Sequence, residues 1–245
     1  MFITDFEPLV TLAAASLRAP CVSVDNQHRF CHPLGSDFPI YLQAYSLQAY
    51  SRLAGEFVRR WIKRPRQCIV AVFHRCPASR QYQSTGALRR ERIARFEPRD
   101  GGHVLLYGRG GLGRRMVRVA GTVHERFIAY GCEPNGAPNI EFKPTCEEQF
   151  AADLASSRAV VCTGGQQLIG EAHYFGKPML VVPIPNQHEQ EINARYARLE
   201  GIGDYCPIAQ LSRERIERCV RRRVSARQPA NGVDQVLELL GIGNG

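Results

Sequence analysis

Residues 159–203 constrain the fold of this chain more than any other segment. They contain two consecutive units, each with a short apolar run, a polar loop and a helix-forming stretch. The apolar runs at Ala159–Cys162 and 179–182 have the length and valine content of buried strands. Strands that alternate with helices form mostly parallel sheets with helices on both faces. The segment therefore predicts an α/β architecture.

The same alternation continues along the rest of the chain. We expect a linker at 77–102, which is rich in Arg, Ser and Gly and has no clean period. The pattern predicts one domain over residues 1–98, linker included, and a second over residues 99–245. The other predicted strands are 2–4, 21–24, 68–73, 103–107, 126–130 and 140–142, and the predicted helices are 8–17, 41–61, 112–123, 147–156, 166–175, 189–199, 212–223 and 233–240.

Composition excludes several classes of protein. With 44% hydrophobic residues the chain can bury a core, and no apolar run approaches the roughly 20 residues of a membrane-spanning helix. The N-terminus lacks the basic region and cleavage site of a secretory signal. Nine cysteines without a C-x-x-C pair argue against a disulfide framework or zinc knuckle. The cysteine usage favours a reducing cytoplasm. Separately, we expect no cofactor and no bound metal.

The net charge of +9 has two explanations. Of the 32 basic residues, 29 are arginines spread along the chain, a distribution typical of solvated helix faces. We therefore expect no nucleic-acid partner. The alternative is attraction to anionic lipid headgroups, which would place the protein at the inner face of the membrane.

Polar groups follow the strand at Ala159–Cys162. Thr163, Gly164 and Gly165 permit a sharp turn and close approach of a ligand to the backbone. The helix that begins at Gln166 would direct its free N–H groups to the same place, which suits a phosphate. Glu171 lies within two turns of that helix end and would accept hydrogen bonds from a sugar hydroxyl.

A second polar cluster follows the strand at 179–182. It includes four side chains suited to reading hydroxyl groups, although one helix cannot point all of them in the same direction; they are Asn186, Gln187, Gln190 and Glu191. The two clusters together predict binding of a nucleoside diphosphate-sugar.

The carboxyl ends of the first two predicted strands carry acidic and basic side chains. Asp5 follows the first strand, and Asp25 and His28 follow the second. The carboxyl ends of parallel strands form the edge where ligands bind. All three are candidates for acceptor contacts or a general base, and His28 has the most suitable ordinary pKa. The alternative is a turn at Asp25 in which His28 is only a structural hydrogen-bonding group.

A glycine-rich loop at 108–113 matches G-x-G-x-x-G, and Glu133 lies 20 residues after its last glycine. This spacing is typical of a dinucleotide site. The same loop, through Gly110 and Gly111, would equally line donor phosphates or form a plain tight turn. A dinucleotide site would leave the clusters at 164–171 and 186–191 without a role.

The pattern GG-x4-GEA-x3-GKPMLVVPIPNQHEQEINA, together with TDFEP at 4–8 and DNQHRF at 25–30, resembles glycosyltransferases with two Rossmann-like lobes, the GT-B fold. The resemblance extends to a bacterial and archaeal family with SDFEP and DNQHRF motifs. It also extends to the N-acetylglucosaminyltransferase that completes the peptidoglycan lipid intermediate. Thr4 occupies the position of the Ser in the SDFEP motif of the bacterial and archaeal family.

The resemblance implies an activity and partners. The reaction would be hexosyl transfer from a nucleoside diphosphate-sugar, with UDP as the default, to a lipid-linked or polymeric hydroxyl acceptor of the cell envelope. It would be inverting and metal-independent. Glu171 would hold the ribose, the turn at 163–166 the diphosphate, and the 186–191 cluster the sugar.

The front of the chain departs from the family pattern. The early glycine-rich loop that helps to position the acceptor has no counterpart, so we expect an incomplete N-terminal lobe. Three alternatives therefore stay open: a nucleotide-sugar epimerase, a truncated non-catalytic nucleotide-sugar-binding protein, and an NAD-dependent oxidoreductase.

Overall fold

The structure is a computed structural model that describes residues 1–31, 45–62, 65–74, 76, 82–224 and 230–242. Residues 41–44 of a predicted helix and 77–81 of the predicted linker lie outside this part. The chain divides into two compact units, one comprising Met1–Leu88 with Ala230–Gly245 and the other Arg89–Pro229. We call them the first and second units.

The first unit contains a four-stranded parallel sheet in the order β1-β2-β3-β4. Its strands are β1 (Phe2–Thr4), β2 (Cys21–Asp25), β3 (Gln67–Ala71) and β4 (Tyr82–Thr85), and its first helices are α1 (Pro8–Ser16) and α2 (Tyr45–Trp61). Strand β4 falls inside the predicted linker. Its sequence, YQST, has no apolar run, and its pairing with the buried strand β3 defines it.

The last helix, α8 (Gly232–Leu239), returns to the first unit. Val236 of this helix packs against the buried Val22, Val24 and Ile69 of the sheet. The Gln235 side-chain oxygen accepts a hydrogen bond from the Gly86 N–H at 2.7 Å. These contacts attach the C-terminal helix to the first sheet. The contact-based division also falls at 88/89, whereas the predicted boundary was 98/99.

The second unit contains six parallel strands in the order β10-β9-β8-β5-β6-β7. The two parallel sheets and their helices confirm the predicted α/β class. Strand β10 was not predicted, because GDY is too short and polar to show a pattern. The elements are β5 (His103–Tyr107), α3 (Gly110–Ala120), β6 (Arg126–Tyr130), β7 (Ile140–Lys143), α4 (Glu147–Ala155), β8 (Ala159–Cys162), α5 (Gln166–Tyr174), β9 (Met179–Val181), α6 (His188–Leu199), β10 (Gly203–Tyr205) and α7 (Arg213–Arg221).

Helix positions in the second unit follow local sequence rules. In α3, Leu112, Met116, Val117 and Ala120 are buried in the core beside strand residues such as Val104. Their spacing produces one apolar face on a helix with 3.6 residues per turn. Helix α7 starts at the predicted cap, since the Ser212 hydroxyl accepts a hydrogen bond from the Arg215 N–H.

The strand order of the second unit determines where a ligand can bind. The chain proceeds from β5 through β6 to β7 in one direction, and then crosses back to place β8 on the other side of β5. The connections after β5 and β8 therefore diverge from neighbouring strands. In open parallel sheets this reversal leaves a crevice outside the carboxyl ends of the strands, where ligands bind. The loops at 108–109 and 163–165 lie at this point.

Candidate functional site

The two loops at the strand reversal both lead into helices that no side chain caps. Gly165 is the N-cap of α5 and Arg109 is the N-cap of α3, and neither helix start has a side-chain cap hydrogen bond. Cys146 and Gln187 at the starts of α4 and α6 likewise make no such bond, whereas Glu7, Ser212 and Asn231 cap α1, α7 and α8. The first N–H groups of a helix have no partner within the helix. Backbone N–H groups at helix starts of this kind are a common binding place for anions.

The turn after β8 is built around Gly164. A Cβ at this position would lie 2.5 Å from the Gln190 carbonyl oxygen and 2.7 Å from its Cβ. The Gly164 N–H donates to Gln190 Oε1 at 3.1 Å, and Asn193 Nδ2 donates to the Gly164 carbonyl at 2.8 Å. Helix α6 therefore holds the turn from both sides, and only glycine permits this approach.

Gln190 and Asn193 have positioning roles. Gln190 Oε1 also accepts from the Ile184 N–H at 3.1 Å, so the side chain joins the loops after β8 and β9. Asn193 is buried and was not predicted from the sequence. Asn193 lies three residues after Gln190, so a helix would place both side chains on one face. This spacing is the sequence pattern from which its role beside Gln190 could have been predicted.

Glu171 is buried on α5, with 2% of its surface exposed. Arg90 binds it in bidentate fashion: Nε lies 2.7 Å from Oε1, and one Nη lies 2.8 Å from Oε2. Gln167 Nε2 also donates to Oε1 at 2.7 Å. Hydrogen bonding to Glu171 raises the pKa of Arg90 above its ordinary value, so the guanidinium stays charged. Arg90 lies 81 residues away in sequence, and no local pattern predicted this pair.

The loop after β9 exposes part of the predicted polar cluster. Asn186 and Gln187 are exposed, and Asn186 adopts a left-handed backbone conformation with φ of 65°. Glu191 is instead held by Arg195 at 2.8 Å and by the Tyr205 hydroxyl at 2.6 Å. Burial and the hydrogen bond to Glu191 raise the pKa of Tyr205 to about 12. The cluster therefore contains two accessible side chains and two that support the loop.

The glycine-rich loop at 108–113 contains some glycines that are closely packed and others that have open space around them. A Cβ at Gly108 would lie 3.0 Å from the Cα of Gly113, whereas one at Gly110 would meet nothing within 4 Å. Gly110 has φ of 56°, and both Gly110 and Gly111 are exposed. Glu133, the acid of the alternative dinucleotide site, is exposed and lies 3.4 Å from Arg114.

In the first unit, Asp25 and His28 form a buried pair. Asp25 Oδ2 accepts hydrogen bonds from His28 Nδ1 at 2.7 Å and from the Ser23 hydroxyl at 2.6 Å, while Oδ1 accepts from the His28 backbone N–H at 2.9 Å. Burial opposes ionisation of Asp25, but the hydrogen bonds and the charge interaction with His28 outweigh it and lower the pKa. Burial, followed by the Asp25 charge, raises the pKa of Asp5. His28 itself is 3% exposed, a burial typical of a structural hydrogen-bonding group, and its role as a base stays a prediction.

Two kinds of feature are absent from the residues that the structure describes. No group of three or more His, Cys, Asp or Glu side chains is arranged there to hold a metal ion. None of the helices in that same part is both long and apolar enough to cross a membrane.

Sequence comparison identifies the family of the chain. Residues 1–223 match the profile of glycosyl transferase family 1. The match covers most of the chain, including the larger part of each unit. The chain belongs to glycosyl transferase family 1.

Individual relatives agree with this membership. An uncharacterized glycosyltransferase of Methanopyrus kandleri is 30% identical over 139 residues, which cover 53% of this chain and 40% of that protein. The UDP-N-acetylglucosamine–N-acetylmuramyl-(pentapeptide) pyrophosphoryl-undecaprenol N-acetylglucosamine transferase of Rhizobium etli is 28% identical over 107 residues, which cover 42% of this chain and 28% of that protein. The matches thus span less than half of either relative's length.

Among solved structures, the calicheamicin glycosyltransferase CalG4 superposes with a TM-score of 0.62. The match covers 98% of this chain and 72% of CalG4 at 18% sequence identity. At that identity the likeness concerns the fold alone. It supports a GT-B-like fold for this member of glycosyl transferase family 1.

Proposed function

We propose that this family 1 chain transfers a sugar from a UDP-sugar to a hydroxyl acceptor, with inversion and without a metal ion. The observation that carries the proposal is that three features lie together at the strand reversal of the second unit. An open glycine turn leads into α5, the N-cap Gly165 of this helix makes no side-chain cap hydrogen bond, and Glu171 lies about one and a half turns further along.

The diphosphate would bind at the start of α5. Thr163 is buried beneath the turn, while a Cβ at Gly165 would meet nothing within 4 Å, so the turn has open space on the side of the helix start. The backbone N–H groups of the first turn of α5 would donate to phosphate oxygens. Charge–dipole contacts of this kind contribute about 0.3–2 kcal/mol each. Gly110 and Gly111 offer a second open backbone at the same edge.

The ribose would bind Glu171. A carboxylate oxygen accepts hydrogen bonds from hydroxyl groups, and burial fixes the position of this side chain. The exposed Asn186 and Gln187 would contact the donor sugar. Gln190 and Glu191 would act by holding the loop, since their oxygens are already engaged.

Transfer needs a base for the acceptor hydroxyl and stabilisation for the leaving diphosphate. His28 would be the base, with Asp25 fixing the orientation of its ring through Nδ1, and Asp5 would contact the acceptor. The α5 N-terminus would stabilise the negative charge that develops on the diphosphate, which replaces the role of a metal ion. UDP is the choice of donor because the Rhizobium etli relative is named for UDP-N-acetylglucosamine.

A calorimetric titration with UDP tests the donor site. We expect Glu171→Ala to weaken UDP binding about tenfold or more, because a hydrogen bond to a charged group contributes roughly 1.5–3 kcal/mol. The matched control is Glu133→Ala, which removes the exposed acid of the alternative dinucleotide site and should leave UDP binding unchanged. Binding of NAD that Glu133→Ala abolishes, with no binding of UDP, would contradict the proposal.

We also propose that the first unit contacts an anionic membrane surface, where a lipid-linked acceptor would lie. Leu53, Phe57 and Trp61 form an i, i+4, i+8 stripe on α2 and are 72%, 51% and 47% exposed. The Phe57 and Trp61 rings stack with centroids 5.0 Å apart. Exposed arginines accompany the stripe on this helix, namely Arg52, Arg59 and Arg60. An apolar stripe with arginines beside it is typical of helices that lie on anionic bilayers.

Co-sedimentation with lipid vesicles tests this surface. We expect the chain to pellet with phosphatidylglycerol vesicles at least about fivefold more than with phosphatidylcholine vesicles, since each basic residue near the surface contributes about 1 kcal/mol. Trp61→Ser should lower the pelleted fraction. Leu237→Ser is the matched control, because Leu237 is an exposed apolar residue on α8. Equal pelleting with both lipids would exclude the surface.

A further inference from the structure

The contact between Arg90 and Glu171 occupies the group to which we assign the ribose. We propose that Arg90 is a latch on the ribose subsite, which the two hydroxyls of a nucleotide ribose displace. This inference rests on the proposed function of the second unit. It adds that the subsite selects for a ribose diol by requiring exchange of an existing ion pair.

The hydrogen-bonding capacity of Glu171 requires the exchange. Oε1 accepts from both Arg90 Nε and Gln167 Nε2, and Oε2 accepts from an Arg90 Nη. An in-plane carboxylate oxygen has about two acceptor positions. A diol that binds one hydroxyl to each oxygen therefore finds Oε1 fully occupied, and the buried position leaves no other approach.

The segment around Arg90 is fixed to the second unit on either side of the latch. We call residues 89–95 the arginine strap. The Arg89 guanidinium lies over the Tyr174 ring of α5, 3.9 Å from its centroid. Ile93 is fully buried, and Arg92 pairs with Glu147 at the start of α4. These anchors hold the backbone of the strap, so the Arg90 side chain can exchange partners while the strap stays in place.

A second carboxylate is ready to receive the displaced guanidinium. The other Nη of Arg90 lies 3.6 Å from Glu147 Oε1, and Glu147 is about half exposed. Arg90 itself is 32% exposed in its side chain, so rotation towards solvent and Glu147 is open to it. The exchange keeps Arg90 paired while the ribose hydroxyls take its place on Glu171. A charge left buried without a partner would be costly, and this arrangement avoids one.

The latch predicts that Arg90 lowers affinity only for ligands with a diol. The apparent affinity equals the intrinsic affinity multiplied by the fraction of molecules that are competent to bind. Here the competent molecules are those in which Arg90 has left Glu171. Removal of the latch should therefore tighten UDP binding by about fivefold or more, the lower end of typical couplings between two sites. It should not tighten binding of 2′,3′-dideoxy-UDP, which has no hydroxyls to exchange for Arg90.

Calorimetry with both nucleotides on the whole chain tests the latch. The variants are Arg90→Ala and the matched control Arg95→Ala, which removes an exposed arginine of the same strap that pairs with the exposed Glu91. The expected result is tighter UDP binding for Arg90→Ala alone. Weaker binding of both nucleotides would overturn the latch and make Arg90 a phosphate ligand. Unchanged binding of both would overturn it as well and make the pair structural.

A spectroscopic readout on the unmutated protein keeps the test independent of folding in the variant. The Nε–H signal of Arg90, assigned by its absence in Arg90→Lys, should shift on addition of UDP and stay in place with 2′,3′-dideoxy-UDP. A signal that does not move with bound UDP would overturn the latch while leaving the donor site intact. Failure of wild type and Arg90→Ala alike to bind any nucleotide would overturn the proposed function, and the latch with it.

Discussion

Asp25→Ala should lower the free energy of unfolding by about 3–5 kcal/mol, the usual result when one member of a buried charged or hydrogen-bonded pair is removed. The Asp25 side chain is inaccessible to solvent and accepts three hydrogen bonds, from the Ser23 hydroxyl and from the ring and backbone of His28. Alanine leaves all three donors buried without an acceptor, and each such donor costs roughly 1–3 kcal/mol. Urea denaturation measures the change.

Asp5→Ala is the matched control for Asp25→Ala. Asp5 is exposed, and its pKa is raised by partial burial and then by the Asp25 charge. Its removal should not destabilise the chain, because it relieves repulsion between two carboxylates. An equal loss of stability in the two variants would show that the hydrogen bonds of Asp25 are not the cause.

The same pair predicts a pH dependence of stability. Because the folded state lowers the pKa of Asp25 below its ordinary value of 3.8, its contribution is fully present above that pH and is lost as the pH falls through the lower, folded value. The difference in unfolding free energy between wild type and Asp25→Asn should therefore shrink below about pH 4. A difference that stays constant down to pH 2 would contradict this assignment.

Gly164→Ala should lower the free energy of unfolding of the second unit by about 1–3 kcal/mol, the typical cost of an overpacked position. The added Cβ would lie 2.5 Å from a backbone oxygen of Gln190 and could be accommodated only by moving α6. That movement would also break the two hydrogen bonds that α6 side chains make to Gly164. Thermal unfolding and UDP titration should therefore both detect the substitution.

Gly165→Ala is the matched control for Gly164→Ala. A Cβ at Gly165 has open space around it, so stability should change by less than about 1 kcal/mol, the usual difference between Gly and Ala at an N-cap. The same Cβ would enter the space that we assign to the diphosphate, and UDP binding should weaken. If Gly165→Ala binds UDP as wild type does, the phosphate does not lie at this turn.

Local sequence determined most of the regular elements, and the glycine pair at 164–165 marked the position of the turn after β8. Valine-rich runs such as Ala159–Cys162 form strands, and Ser212 caps α7, because both depend on residues within a few positions of one another. The same holds for Glu171 as a candidate: its place on α5 follows from its distance to the glycine turn. What the sequence could not reveal was its partner.

The tertiary structure decided the remaining features, because each depends on residues that are distant in sequence. Strands β4 and β10 are too short and polar to show a pattern, and pairing with β3 and β9 defines them. Helix α8 joins the first unit through contacts with a sheet more than 140 residues earlier. The ion pair of Arg90 with Glu171 spans 81 residues. Only folding brings such groups together, whereas a helix cap such as Ser212 depends on residues within one turn of it along the chain.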